Sequence, residues 1–288
     1  MDSILITGIN GFLGSEIAKM LSTTHKIVGV EKQINNLSRI SGENFKIYSS
    51  SLQDIKKLFL ENDITAIVHT ATIYGRNNEN ELDLFYSNMV FPLQLLSIAI
   101  AHEIPYFINT DTTLDRFTSA YSLTKKQFHD WLYFYKEKIK IINLELQHFY
   151  GPGCPDTNFV IALLKRLMRN EKEIALTPGD QLRDFIYSED VIQVYKKVID
   201  SLNNFKVNYT PISVGTGVPI ELKSLVQLAH KICQSESKLL FGALPYRENE
   251  VMYAVADLTS NGAFNWDAKT GIETGLIKTV RYLQKENT

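Results

Sequence analysis

The stretch Ser3-Ile4-Leu5-Ile6-Thr7-Gly8-Ile9-Asn10-Gly11-Phe12-Leu13-Gly14-Ser15 decides the fold. It opens on a short apolar, β-branched run of the kind that fills a buried strand, and from Phe12 to Leu21 the apolar residues recur at helical spacing. Between the two lie glycines at 8, 11 and 14. They permit a tight turn, let backbone N–H groups approach a diphosphate, and aim the positive end of the helix dipole at it. The GxxGxxG spacing alone is compatible with an unliganded turn; in strand–turn–helix context it reads as a dinucleotide site.

Outward from this turn, short β-branched runs alternate with helical patterns. Strands are expected at Ser3 to Thr7, Lys26 to Val30, Lys46 to Tyr48, Ala66 to His69, Tyr106 to Asn109 and Ile139 to Leu146, with crossover helices at Phe12 to Leu21 and Phe85 to Ala101. That alternation is the pattern of an α/β fold, a Rossmann-like doubly wound parallel sheet. After Tyr150, Gly151-Pro152-Gly153-Cys154-Pro155 breaks it. A helix is expected from Phe159 to Leu167, another near Ser188 to Leu202, and a strand at Pro211 to Val214. The expected organisation is an NAD(P)-binding domain over residues 1-150, rejoined by returning elements at about 183-220, and a smaller, interleaved C-terminal substrate-binding lobe over 151-182 and 221-288.

Composition narrows the function classes. A chain of 288 residues with 44% hydrophobic and 22% charged content can bury a sizeable core. Its 30 basic and 32 acidic residues leave no phosphate-coating surface, so nucleic acid is not an expected partner. Two cysteines, Cys154 and Cys233, make no disulfide framework and fit a reducing compartment. The start lacks the basic region and apolar run of a secretory signal, and no uninterrupted apolar stretch approaches the roughly 18 residues of a spanning helix. A cytoplasmic protein without a membrane partner and without a metal is expected.

At the end of the second strand, Glu31 can accept hydrogen bonds from adenosine ribose hydroxyls, whereas its neighbour Lys32 suits a 2′-phosphate; the cofactor is NADPH or NADH. Downstream, Tyr121-Ser122-Leu123-Thr124-Lys125 sets tyrosine and lysine four apart, on one face of a helix expected to continue through Trp131. An ammonium near a phenol lowers its pKa from about 10, so Tyr121 is expected to exchange protons near neutral pH. YxxxK is frequent by chance and takes its weight from position. The preceding strand ends in Thr110-Asp111-Thr112-Thr113, which sets hydroxyls at the sheet edge where open α/β folds bind ligands.

The ordered set of the GxxGFLG turn, YxxxK, Tyr150-Gly151-Pro152-Gly153 and Arg183-Asp184-Phe185-Ile186-Tyr187 resembles the extended short-chain dehydrogenases/reductases of the NAD-dependent epimerase/dehydratase family, over nearly the whole chain. The resemblance implies a nucleotide-sugar substrate and a homodimer built on the helices Phe85 to Ala101 and Ser122 to Tyr135, whose apolar residues include Leu95, Leu96, Trp131 and Phe134. It implies catalytic roles for Thr112, with Thr110 second, and for Tyr121 and Lys125. At the cofactor it places Gly8, Gly11, Phe12, Leu13, Gly14, Glu31, Lys32, Ser51, Leu52, Thr70, Ala71, Asn88 and Gln147, together with Tyr121 and Lys125. At the substrate it places Tyr74, Arg76, Thr112, His148, Asn158, Phe159, Arg183 and Arg247. The two arginines suit a diphosphate because a planar guanidinium bonds phosphate oxygens bidentately. His69, at a strand end, reads as packed by its neighbours rather than as a base.

Dehydratases of this family carry Asp-Glu directly after the catalytic threonine; here Thr113-Leu114 follow Thr112, which disfavours dehydration. Reduction of a 4-keto sugar and 4-epimerisation remain. The segments His69-Thr70-Ala71-Thr72-Ile73-Tyr74-Gly75-Arg76, Phe107-Ile108-Asn109, Gln147-His148-Phe149-Tyr150-Gly151 and Arg247-Glu248-Asn249-Glu250 look like those of CDP-paratose and CDP-abequose synthases. That likeness implies NAD(P)H-dependent reduction of a CDP- or dTDP-linked 4-keto deoxyhexose in O-antigen precursor synthesis. A cofactor-binding regulator without catalysis is the alternative of another class. The joint presence of Thr112, Tyr121 and Lys125 argues against it.

Overall fold

The computed structural model describes residues 2–262 and 264–286. The chain runs β1 (Ser3–Thr7), α1 (Phe12–Leu21), β2 (Lys26–Glu31), β3 (Lys46–Ser49), α2 (Leu52–Glu61), β4 (Ile64–His69), α3 (Glu81–Phe85), α4 (Phe91–Ala101), β5 (Tyr106–Thr112), α5 (Ala120–Phe134) and β6 (Lys140–Leu146). It continues with β7 (His148–Tyr150), α6 (Phe159–Met168), β8 (Glu173–Leu176), β9 (Leu182–Arg183), β10 (Phe185–Tyr187), α7 (Ser188–Asp200), β11 (Tyr209–Val214), β12 (Ile220–Glu221), α8 (Leu222–Cys233), β13 (Lys238–Phe241), β14 (Tyr253–Ala254) and α9 (Ile272–Glu286).

The central sheet has seven strands in the order β11-β6-β5-β4-β1-β2-β3. β1 is parallel to β2 and β4, with Thr7 opposite Val30 on one side and His69 on the other. The chain therefore builds outward from β1 to β3, returns, and builds the other way from β4. At such a reversal the loops after adjacent strands diverge and leave a crevice at the carboxyl edge. β1 is buried at every residue, as a strand covered by helices on both faces must be. One layer of core joins Leu5, Val28 and Ile67 of the sheet to Leu58, Leu95, Phe128 and Leu132 of α2, α4 and α5.

Two expectations change here. The strand expected to stop at Asn109 runs on through Thr112, and Asp111 and Thr112 are buried at its end. The helix expected from Phe85 begins at Glu81 and passes through a π-helical turn, Tyr86–Val90, before α4. Pro92 has no N–H to offer the Asn88 carbonyl one turn earlier, and the wider turn accommodates the loss. Glu81–Ala101 is also long and apolar enough to cross a membrane by length and composition, although polar residues such as Asp83, Asn88 and Gln94 interrupt it. In the structure it is the β4–β5 crossover, with Met89, Leu95, Leu96 and Ala99 in the core.

The chain divides into two compact units, 1–145 with 195–212, and 146–194 with 213–288. Residues 146–150, 183–194 and 213–220, which the sequence assigned to the first domain, group with the second. Strand pairing is the reason: β7 lies parallel to β10, with His148 opposite Phe185, and β9 lies between β12 and β14. Within the second unit β8 and β13 form a further parallel pair, and α6 buries Val160, Ile161, Leu164 and Leu167.

Candidate active site

The glycine turn closes on itself. Gly8 sits at φ +65° with its N–H bonded to the Val30 carbonyl at 2.8 Å, and the Gly11 N–H returns to the Gly8 carbonyl at 2.8 Å. A Cβ at Gly14 would lie 2.2 Å from the Gly8 oxygen and 2.9 Å from Thr70 Oγ1, so that position is closed to any side chain. α1 has Gly11 at its N-cap, with no side-chain cap and no acidic residue in its first turn, which leaves the dipole end uncompensated. Glu31 leans back over the turn: Oε2 accepts the Asn10 N–H at 3.0 Å and Oε1 the Lys32 N–H at 2.8 Å. Thr70 donates its hydroxyl to the Thr7 carbonyl at 2.7 Å, and the Ala71 N–H meets Thr7 Oγ1 at 3.3 Å. Ser51 caps α2 by accepting the Asp54 N–H, while Leu52 lines an apolar cavity of about 370 Å³ with Val90, Leu93, Gln94 and Ser97.

α5 is started by Ser119 and Ser122 in a capping box, which sets Tyr121 in the first turn and Lys125 one turn later. The Thr112 side chain hydrogen-bonds the Tyr121 hydroxyl, whereas the Thr110 hydroxyl pairs with Tyr195 Oη at 2.7 Å. Of the two threonines, Thr112 is the one set beside the phenol. Lys125 is buried, and its Nζ donates to the Thr110 carbonyl at 2.6 Å.

The electrostatics reverse an expectation. Burial, followed by Tyr74 and Asp111, pushes the Tyr121 phenol well above its usual value, and the Thr112 bond and Arg76 only partly offset this. Tyr121 is thus held protonated rather than poised near neutrality by Lys125. The Tyr74 ring packs 4.8 Å from that of Tyr121, and the Arg76 guanidinium lies 5.0 Å from the Tyr74 centroid, so the two form a cap over the phenol. Burial also pushes the Lys125 ammonium down to about 8, with Asp111 opposing and Lys126 adding.

This last shift has a testable sign. The folded chain holds the Lys125 proton less tightly than the unfolded chain, so between about pH 8 and the ordinary value of 10.5 the unfolded state binds more protons, and this group's contribution to stability rises with pH. Denaturant unfolding at about pH 8 and pH 10 is expected to show wild type gaining about 2 kcal/mol on Lys125→Met at the higher pH. An identical pH dependence in both proteins would contradict the assignment.

Two neighbours are structural in the geometry observed. Asn88, in the π turn, spends its amide on four protein groups: Oδ1 accepts Thr72 Oγ1–H and the Ile73 N–H, both at 3.0 Å, and Nδ2 donates to the Ile73 carbonyl at 2.9 Å and Thr124 Oγ1 at 3.3 Å. It pins the 72–73 segment to α5, where the sequence had set it against the cofactor. His69 is enclosed by the rings of Phe91, Phe107 and Phe128 with Nδ1 2.8 Å from Thr7 Oγ1, and burial keeps it neutral.

In the second unit, Gln147 is buried and its N–H bonds the Val214 carbonyl, while the half-buried His148 packs against Phe185. Asn158 is the N-cap of α6: Oδ1 accepts the Val160 and Ile161 N–H groups and Nδ2 holds the Phe149 carbonyl, so its side chain serves the helix start, with Phe159 exposed beside it. Arg183 is buried and donates to Glu250 Oε1 at 2.7 Å, and Gln181 reaches the same oxygen at 3.2 Å. Arg247 is exposed, on the turn that carries Glu250.

A family model described as the NAD dependent epimerase/dehydratase family matches residues 4–215. The chain belongs to that family. Among the relatives of this epimerase/dehydratase chain, the CDP-abequose synthase of Salmonella muenchen is 30% identical over 286 residues, 96% of each chain. That of Salmonella typhimurium is 28% identical over 287 residues, 94% of this chain and 96% of its own. The crystal structure of UDP-glucose 4-epimerase from Thermotoga maritima with UDP-glucose shares the fold, with TM-score 0.85 at 20% identity over 99% of this chain and 100% of that one.

The residues present fit the dinucleotide of an NAD-dependent epimerase/dehydratase. Position 14 has no room for a Cβ, the helix start lacks a competing cap, and a carboxylate stands at the end of β2. Reading the sequence missed Glu250 and Gln181, which hold Arg183, and His129, which contacts Asp111. His129 had a signal: with Tyr121 and Lys125 it completes an i, i+4, i+8 row on α5.

Proposed function

We propose that this chain reduces the 4-keto group of a nucleotide-linked deoxyhexose, CDP-linked before dTDP-linked, with NADH as the preferred reductant. The observation that carries the reading is the half-buried Tyr121 phenol, set beside Thr112 and packed 4.8 Å from the Tyr74 ring, with its pKa pushed up by desolvation. A tyrosine paired with a threonine suits delivery of a proton to the alkoxide that hydride transfer leaves at C4. The near full-length likeness to two CDP-abequose synthases supports the substrate class.

When bound, the reduced nicotinamide supplies the hydride. Gly8, Gly11, Phe12, Leu13 and Gly14 receive the dinucleotide diphosphate, Glu31 the adenosine ribose hydroxyls, and Ser51 and Leu52 flank the adenine, with Thr70 and Ala71 closing the turn from β4. Tyr121 donates its proton to the sugar oxygen, Thr112 orients that oxygen, and Lys125 fixes the Thr110 carbonyl and the nicotinamide ribose. Tyr74, Arg76 and His148 meet the sugar, and Arg183 and Arg247 the substrate diphosphate. Stoichiometric NADH oxidation with a CDP-linked 4-keto-6-deoxyhexose tests the reading.

Glu31 sets the choice of reductant, because a fixed carboxylate repels a 2′-phosphate. Glu31→Ser is expected to improve the NADPH-to-NADH ratio of kcat/KM by at least about tenfold. An unchanged ratio would remove Glu31 from that role.

We also propose a homodimer. Leu95 and Leu96, expected at its interface, are in the core. On the same helices the exposed apolar side chains are instead Leu82 (66% exposed), Tyr86 (61%), Phe134 (71%) and Trp131 (37%), the last two packed on each other. Trp131→Glu combined with Phe134→Glu is expected to yield a folded monomer by light scattering; a dimer retained in that variant places the interface elsewhere.

A further inference from the structure

We infer that Asp111, His129, Asn143 and Lys126 form a positioning cluster that fixes the backbone of Thr112, and so sets the hydroxyl that meets Tyr121. This rests on the reading of Thr112 and Tyr121 given above. β4 and β5 are in register through His69 and Asn109, so Thr112 lies three residues past the last β4 partner. Its backbone is held by side chains. Asp111 Oδ1 accepts the Thr112 N–H at 2.7 Å, and Lys126 Nζ donates to the Thr112 carbonyl at 2.7 Å.

The carboxylate that makes the first of these bonds is itself over-determined. Asp111 is 2% exposed. Its Oδ2 faces His129 Nδ1 at 2.9 Å, Asn143 Nδ2 at 3.0 Å and Lys126 Nζ at 3.6 Å. Tyr209 Oη lies 3.0 Å from His129 Nε2, and donating there leaves Nδ1 to carry the proton toward Asp111. Asn109 Nδ2 donates to Asn143 Oδ1 at 2.7 Å, which turns the Asn143 NH2 toward Asp111. Burial alone would raise the carboxyl, yet His129, Lys126, Lys125 and Asn143 outweigh it and hold Asp111 ionised.

Asp111, His129 and Glu145 also bring their ligand atoms within 4.8 Å of one another, the spacing of a metal site. Lys126 Nζ stands 3.6 Å from Asp111 and 3.8 Å from Glu145, so the cation of this trio is the ammonium that also grips Thr112. A cluster that merely stabilised the fold would have no need to converge on the two backbone groups of the residue beside the proton donor.

The test uses the full chain with a CDP-linked 4-keto-6-deoxyhexose and NADH. His129→Ala and Asp111→Asn are expected to lower kcat by about 10- to 100-fold, as a small misplacement of a reacting group does, with KM for the sugar nucleotide and affinity for NADH within about twofold of wild type. His129→Asn, whose amide can donate to Asp111, is expected to recover most of that loss. If His129→Ala keeps wild-type kcat, or if His129→Ala and His129→Asn lose activity equally along with thermal stability, the inference is overturned. Should Asp111→Asn fail to fold, the two His129 variants decide alone. Tyr121→Phe, assayed alongside, separates the two levels: full activity there overturns the reading of the site itself, whereas an inactive Tyr121→Phe beside a fully active His129→Ala overturns only the positioning cluster.

Discussion

Turnover of Tyr121→Phe is expected to fall by about 1000-fold or more, while its affinity for NADH stays within about threefold of wild type. The substitution removes one hydroxyl and leaves the ring, so the 4.8 Å packing against Tyr74 survives and the cap over the site is retained. What is lost is the phenolic proton set beside the Thr112 hydroxyl. Fluorescence titration of NADH and single-turnover rates, measured on the same preparation, separate binding from chemistry. Parallel losses in both would mean that Tyr121 holds the cofactor rather than moving a proton.

Gly14→Ala carries the second large effect, and its sign runs against propensity. Alanine in place of glycine inside a helix ordinarily stabilises by up to about 1 kcal/mol. Here the added Cβ would sit 2.2 Å from the Gly8 carbonyl oxygen, a backbone atom that cannot rotate away. The turn must open, carrying with it the Gly11–Gly8 bond and the Thr70 contact. NADH affinity is expected to fall by at least about 100-fold, with a lower melting temperature in the absence of cofactor. A variant that is more stable and still binds NADH would show that the close approach is not what holds the turn in its binding form.

The parts of this molecule that could be read from sequence are those whose cause is local. The glycine turn, the first four strands and α1 follow from periodicity and from residues within a few positions of one another, and the structure places them where the pattern did, to within two residues. What escaped depends on partners far along the chain. Asp111, near the end of β5, finds His129 and Asn143, 18 and 32 residues later, and no local pattern announces them. The same holds for the second unit, where the 2-residue strands β9, β12 and β14 are too short to show an alternation and exist only by pairing.

The roles of single side chains divided along a similar line. Tyr121 and Lys125 announced themselves by spacing, but the direction of the Tyr121 shift did not, because it is set by burial and by Tyr74, which a linear motif cannot supply. Asn88 and Asn158 were recognised as present and given ligands, whereas the structure employs their amides as a clamp and a helix cap. Leu95 and Leu96 looked available for a partner until the core absorbed them. In each case the residue was legible and its occupation was not.

Net reduction is tested by the amount of NADH oxidised per sugar nucleotide converted, starting from a CDP-linked 4-keto-6-deoxyhexose and purified chain. One NADH is expected to be consumed for each product molecule, with the hydrogen from NADH found at C4. Conversion of a 4-hydroxy sugar nucleotide to its C4 epimer with no net consumption of NADH would contradict it.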